Sequence, residues 1–395
     1  MIETGMVCFV KQSGKLVMYY LAKKLFFLFL RMKSEVSLFE GYRENSDEYI
    51  KLCYIGSVLR GKEFVCQIFG NLPDRRVVGN CLSIYAQKRL EKYYTTFDVV
   101  MVETNRLLLT KFLKNGFFPI PEWIEFERPV IIDEKLRYSG GTKSLKSDLN
   151  RIKKTRYHVS VSNSLSDFDK FYETMYLPFV EHRYGENGIL KSRTRLKRDF
   201  LSGFLMFVCD AEKPIAGAIV LPDKYVVRET TIGIAYRSGS ALRTGVTGIL
   251  DYHIHDWAAK HGKRVMNVGH TRAFPNDGVF FNKRKWLMRV VPDQDGVNNI
   301  SVKFNGTAWK ASSLIHPFPF IFQTKTGLIL LCSLDQEVAA TANQLKSLHQ
   351  RYWTDGLQSM VVFSPAGFSP HAVEYRNESL GFAVQLISDL NPFWV

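Results

Sequence analysis

The order of elements across residues 204–268 constrains this chain most. "LMFVCD" is an apolar run, "AEKP" a turn, and "IAGAIVLP" and "YVVRETTIGIAYR" are further runs at hairpin spacing. Runs joined by such short connections pair antiparallel. "SGSALRTGVTG" follows as a Gly-rich loop, "ILDYHIHDWAAKHG" as a helix stopped by Gly262, and "KRVMNVGH" as another strand. Strand, hairpin strand, strand, loop, helix, strand is the order of a mixed α/β sheet. It also sets a loop of backbone N–H groups at a helix N-terminus, where a pyrophosphate can dock. "RTGVTG", Arg243 to Gly248, brings two glycines and two hydroxyl residues to that place. Gly-rich turns before helices are equally common without a ligand.

Elsewhere the pattern also alternates. "YIGSVLR", "EFVCQIFG" and "DVVMVET" read as strands, and "NRLLLTKFLKNGFFPIP" as a helix from about 105 to 114 ended by Gly116 and Pro119. "EWIEFERPVII" reads as a strand. In "SGGTKSLKSDLNRIKKTRYHVSVS", Leu145, Leu149 and Ile152 recur at helical spacing. The other face carries Lys146, Arg151, Lys153 and Lys154, so it either meets solvent or meets phosphate. Helical patterns follow at 166–183 and in "KSRTRLKRD", 191–199. Residues 305–322 read as an irregular linker or strand edge. The last part, "GLILLCSL", a helix over 335–353 and "LQSMVVFSPAG", reads as a βαβ-like appendage.

The chain has 395 residues, enough for two or three domains with sizeable cores. Lys plus Arg is 53 against 38 for Asp plus Glu, a net charge of +15. That excess favours anionic partners: nucleic acid, an anionic membrane face, or phosphorylated cofactors and substrates. Cys8, Cys53, Cys66, Cys81, Cys209 and Cys332 are scattered without a CxxC pair. They suit neither a zinc site nor a disulfide framework and read as core hydrophobes in a reducing compartment. No secretory signal is read near the start. "KLVMYYLAKKLFFLFLRMK", 15–33, is broken by Lys23 and Lys24 and does not read as a membrane span. It reads either as a partly buried basic amphipathic helix or as one lying in the plane of an anionic membrane. The expected location is cytoplasmic, with peripheral contact at the inner membrane face as the second reading.

"GHTRAFPNDGVFFNKRKWLMRVVP", 269–292, mixes five cations, one carboxylate and four aromatics. A solvated loop does not need Phe274, Phe280, Phe281 and Trp286, and a buried strand does not tolerate the cations. The mixture reads as a cleft wall that receives something negative.

These stretches together carry a resemblance. "KSLKSDLNRIKK", "AEKPIAGAIVL", "TIGIAYRSGSALRTGVTGILDYHIHDWAAKHGKRVMNVG" and "NDGVFFNKRKW" resemble the GNAT-like acyltransferases of the FemAB and CelD/BioF2 type. The resemblance covers about 140–292 and extends more faintly to 50–135. It implies tandem GNAT-like domains: an N-terminal half over 1–136, a second half with the active site over 137–310, and a small α/β appendage over 311–395. It implies N-acyl transfer from acyl-CoA (acetyl-CoA) to an amine acceptor such as a sugar, amino acid or cell-envelope precursor, with no metal. It places the donor on Arg243, Thr244, Gly245, Thr247 and Gly248, and the acceptor on Arg272, Lys283, Lys285 and Trp286. Transfer needs a base and a stabilised oxyanion. His270, His253 and Asp251 are candidate bases, Asp277 would hold an amine or brace Arg272, and Tyr236 would protonate the leaving thiolate or simply pack. Two departures stand out. The acyl-CoA signature Q/R-x-x-G-x-G/A is R-T-G-V-T-G here, and the closing glycine after the tryptophan is Leu287.

Two other readings compete. Fem-type relatives take aminoacyl-tRNA, which a charge of +15 also suits, but no long coiled-coil arm of the tRNA users is read in this sequence. A nucleic-acid-binding or processing role has one hook: the tail from 357 weakly resembles Mrr-type restriction-endonuclease-like domains, with Gln323-Thr324-Lys325 in place of their metal-binding pair.

Overall fold

The computed structural model describes residues 33–82, 86–93, 95–105, 109–184, 190–235, 245–293 and 298–390. The amphipathic stretch 15–33, save its last residue, and Tyr236, Arg243 and Thr244 lie outside the described residues. By contacts the chain forms two units. The first comprises 1–122, 295–351 and 358–395; the second comprises 123–294 and 352–357.

The first unit holds two sheets. One has β1 (Lys33–Tyr42), β2 (Tyr49–Gly56), β3 (Arg75–Leu82), β4 (Val99–Asn105), β5 (Phe118–Pro121) and β13 (Asn298–Phe304), in the order β3-β1-β2-β4-β13-β5. Only β2 and β4 pair parallel there. The other sheet runs β14 (Phe320–Gln323), β15 (Leu328–Ser333), β16 (Ser359–Phe363), β17 (Val384–Ile387). The helix Ala342–Tyr352 joins β15 to its parallel neighbour β16, the βαβ order expected of the tail. Gln323-Thr324-Lys325 sits in the β14–β15 hairpin, where Thr324 Oγ1 donates to the Gly327 carbonyl at 3.1 Å.

The second unit is built on one sheet: β6 (Ile124–Pro129), β7 (His158–Ser162), β8 (Phe204–Asp210), β9 (Lys213–Pro222), β10 (Val226–Ile234), β11 (Val265–Thr271) and β12 (Arg289–Pro292). The order is β12-β6-β11-β10-β9-β8-β7. β7 to β10 form an antiparallel meander, while β10 and β11 pair parallel. This is the mixed α/β sheet that the element order demands. β8 is buried along six of its seven residues because both faces of the sheet are covered. Two strands lie outside the stretches expected for their halves. β6, from the first expected half, sits between β11 and β12, and β13, from the second, sits between β4 and β5.

One expectation is overturned. "EFVCQIFG" is not a strand but belongs to a helix, α1 (Val58–Phe69), and "YIGSVLR" ends β2 and begins that helix. Phe64, Val65, Ile68 and Phe69 are buried one helical turn apart, and short apolar runs do not separate the two periods. Residues 305–322 are likewise more regular than expected, with a helix Ala308–Ile315 before β14.

Three further helices position the site: α2 (Lys143–Lys154), α3 (Val246–Lys260) and α4 (Gly278–Lys285). Thr142 caps α2, its hydroxyl accepting from Leu145 N, and Leu145 and Ile152 face the core as their spacing predicts. α3 buries Ile249, Leu250, Ile254 and Ala258. α3 packs tightly at Gly248, where a Cβ would lie 2.4 Å from Cζ2 of buried Trp286.

Candidate functional site

In the second unit the parallel pair opens. β10 and β11 are in register only at Val226↔Val265, Val227↔Met266 and Arg228↔Asn267, although both strands continue. Each carries an irregularity just beyond that point. On β10 the register with β9 shifts between Glu229 and Thr231, so Thr230 bulges. On β11 the register with β6 shifts between Asn267 and His270, where Gly269 takes φ 73°. The side chain of Asn267 stabilises that kink by accepting from Gly269 N at 2.9 Å. A bulge bends its strand and increases its twist. Two bulges at one level accompany the parting of the strands.

Charged side chains line the point of parting. Lys283, projecting from α4, donates all three of its hydrogens to β11: to the carbonyls of Val268, Gly269 and His270 at 2.8, 3.0 and 2.9 Å. Glu229, the first β10 residue past the pairing, is buried beside Asp251 of α3. Burial and the charge of Asp251 push the Glu229 carboxyl well above the usual carboxylate range. Burial pushes Asp251 up to about 7, against the pull of Lys283 and Arg128. Burial holds Lys283 down to about 8, although both carboxylates favour its charge. Burial thus raises both carboxyls and lowers the ammonium, favouring the neutral form of each.

α3, which sets Asp251 beside Glu229, begins at Gly245. Gly245 starts the helix in the left-handed region, φ 76°, and its nearest side-chain neighbour is Arg151 of α2, with Nη2 3.7 Å from where a Cβ would stand. Arg151 and Lys285 both pair with Asp148, so two cations are gathered beside this helix start. Thr247 and Gly248 occupy its first turn.

The first unit answers the same geometry differently. There the parallel pair is β2 and β4, and α1 begins just after β2. The Glu103 carboxylate accepts from Ser57 N at 3.0 Å and pairs with Arg60. The Tyr54 ring lies against Gly56 and Gly61, about where their Cβ atoms would be. A carboxylate and a ring of the chain itself thus pack at the start of α1.

The other residues singled out by sequence fall in distinct settings. Asp277 caps α4, accepting from Val279 N and Phe280 N at 2.8 and 3.0 Å and from the Thr271 hydroxyl at 3.3 Å. Lys285 is committed to Asp148, and Trp286 is core, edge-on to Tyr138 at 5.8 Å. Arg272 stacks on the Trp123 ring at 3.9 Å. His253 is half-buried, and burial lowers its pKa. His255 is structural: it accepts from Ile131 N at 3.3 Å, and burial with Arg128 and Arg137 brings it down to about 3.

His270 stands among acids. Its Nε2 lies 3.2 Å from Glu125 Oε1 and 3.4 Å from Asp293 Oδ1. Burial works against its charge, but Asp293 and Glu125 outweigh it and hold the imidazole at about 9. An imidazole protonated at neutral pH has no lone pair to offer as a base. Sequence reading passed over Glu229, Glu125 and Asn267. The available signal was an acid inside an otherwise apolar strand, "YVVRETTIGI" for Glu229 and "EWIEFERP" for Glu125.

No protein-family model matches the chain, and no curated protein matches it. Similar solved structures include FemX, at 11% identity over 67% of this chain and 84% of that one, TM-score 0.37. They also include L-PGS from Bacillus licheniformis, at 12% over 68% and 84%, TM-score 0.31. A tandem GNAT protein from the clavulanic acid biosynthesis pathway matches at 10% over 66% and 79%, TM-score 0.28. These neighbours are of the kind the sequence resembles, but at these TM-scores none bears on what this chain does.

Proposed function

We propose that the second unit is an acyl-transfer catalyst. The acyl donor lies in the opening between β10 and β11, with its phosphates at the start of α3, and the acyl group passes to an amine acceptor. One observation carries this reading: the parallel strands part beside a helix that starts in a left-handed glycine with Arg151 at hand. A gap between parted strands suits an extended chain, and the helix N-terminus suits its phosphates. Acyl-CoA has both features. Arg243 and Thr244, next to Gly245 in the sequence, join the phosphate contacts in this reading.

In the transfer step the amine nitrogen attacks the donor carbonyl, the thiolate leaves, and the nitrogen loses a proton. Asp251, set beside Glu229 at the parting of the strands and pushed up to about 7, is assigned to accept that proton. Tyr236 remains the proposed donor to the leaving sulfur. Arg272, beside Trp123 on the same sheet, is the proposed contact for an anionic acceptor.

Calorimetric titration with acetyl-CoA and desulfo-CoA tests the donor. Both should bind, and Arg151→Ala should weaken them about tenfold or more, the loss of one charge-assisted phosphate contact. If neither ligand binds the native chain, the acyl-CoA donor is wrong. A charged tRNA whose affinity falls steeply with salt would then point to aminoacyl transfer.

A further inference from the structure

Three neighbouring strands bring Glu125, His270 and Asp293 together. Glu125 on β6 and His270 on β11 are register partners, and Asp293 follows Pro292, the last residue of β12, which pairs with Ile124 of β6. One ligand atom from each lies within 4.8 Å of the other two. We infer that Glu125, His270 and Asp293 form a binding site for one divalent cation of the Zn2+ or Mn2+ class.

The two distances fit an ion held between these groups. A single Nε2 carries one hydrogen and faces two carboxylate oxygens, at 3.2 and 3.4 Å. Charge-assisted N–H···O bonds are shorter, about 2.7–2.9 Å. Ligands held about 2.1 Å from one ion stand roughly 3.0–3.4 Å apart, the octahedral and tetrahedral edges. An entering ion displaces the imidazole proton, and the neutral imidazole with two carboxylates then carries −2. The outer shell is built as well: Asn267 Nδ2 donates to Glu125 Oε2 at 2.9 Å and fixes that carboxylate, while Glu125 itself is 8% exposed. Nitrogen-and-oxygen ligation of this kind suits Zn2+ or Mn2+, and three protein ligands leave positions open for water or a substrate oxygen. His270 is partly exposed, so the site is reachable from solvent.

The test is independent of donor binding. The purified chain is dialysed against Zn2+ or Mn2+, then against metal-free buffer, and retained ions are counted by mass spectrometry. About one ion per chain is expected. His270→Gln and Asp293→Asn, at the two less buried positions, should each weaken retention about tenfold or more while circular dichroism stays native. A native chain that retains no ion overturns the inference. So does retention that is unchanged in both folded variants, which would place the ion elsewhere.

Discussion

Replacing Lys283 with methionine probes the parted strands directly. The two side chains are similar in length, so the loss is of charge and three donors rather than of volume. In the native fold the ammonium bonds three successive β11 carbonyls and offsets Glu229 and Asp251. Removing one partner from a buried charged group costs about 3–5 kcal/mol. Part of Lys283 is accessible to solvent, so the lower end, ~3 kcal/mol, is expected. In a unit of this size each kcal/mol moves Tm by about 2–4 °C, which gives a fall of roughly 6–12 °C. The cost also depends on pH. Without the ammonium, both carboxyls are pushed further above their unfolded values. A carboxyl raised on folding favours the folded state at low pH, and that advantage is lost as pH rises through the folded pKa. The deficit against the native chain should therefore be larger at pH 8.5 than at pH 6. Urea unfolding followed by tryptophan fluorescence reads this unit, since Trp123, Trp257, Trp286 and Trp353 all lie in it. A loss under about 1 kcal/mol at both pH values, or a larger deficit at pH 6, would refute the assignment of Lys283 as the strap between these groups.

Two further outcomes follow from the same region. Gly248→Ala forces a methyl group into the space of the Trp286 ring and should cost about 1–3 kcal/mol as an overpacked core; an unchanged urea midpoint would show that α3 and Trp286 do not meet as described. Glu229→Gln removes the more strongly raised carboxyl and leaves Asp251 alone to pair with Lys283, so stability should rise relative to the native chain as pH goes from 6 to 9. A relative fall over that range in urea titrations would contradict it.

Much of the second unit was legible because its decisive features are local. Hairpin spacing fixed the meander β8–β9–β10, and the break at 238–248 followed by a 3.6-residue period fixed α3 and the strand after it. Leu145 and Ile152 revealed the buried face of α2 in the same way. The places of β6 and β13 were not legible, because strand partners so far apart in the chain leave no mark on either segment. The site was half legible. A charged, aromatic stretch at 269–292 did signal an unusual wall, but the fate of each cation depended on partners in other elements. Lys283 turned to carbonyls, Lys285 to Asp148 and Arg272 to Trp123. The bulges at Thr230 and Gly269 exist only as mismatches between two strands, so neither strand alone betrays them. Leu287 did carry a readable hint. It occupies φ 58°, a left-handed position, where the resembling family has glycine.

The exchanged strands also order events during synthesis. Among the described residues β5 pairs with β13 alone, and β4 keeps one edge bare until β13 appears. At a ribosomal pace of about 5–20 residues per second, the gap between β5 and Asn298 lasts on the order of ten to forty seconds. Throughout that interval the nascent first sheet offers an unpaired apolar edge at Val99–Val102, the kind of surface that chaperones hold and that stray strands join. Completion of the first unit thus waits on translation of the second, and the chain matures as a whole rather than from its N-terminus onward.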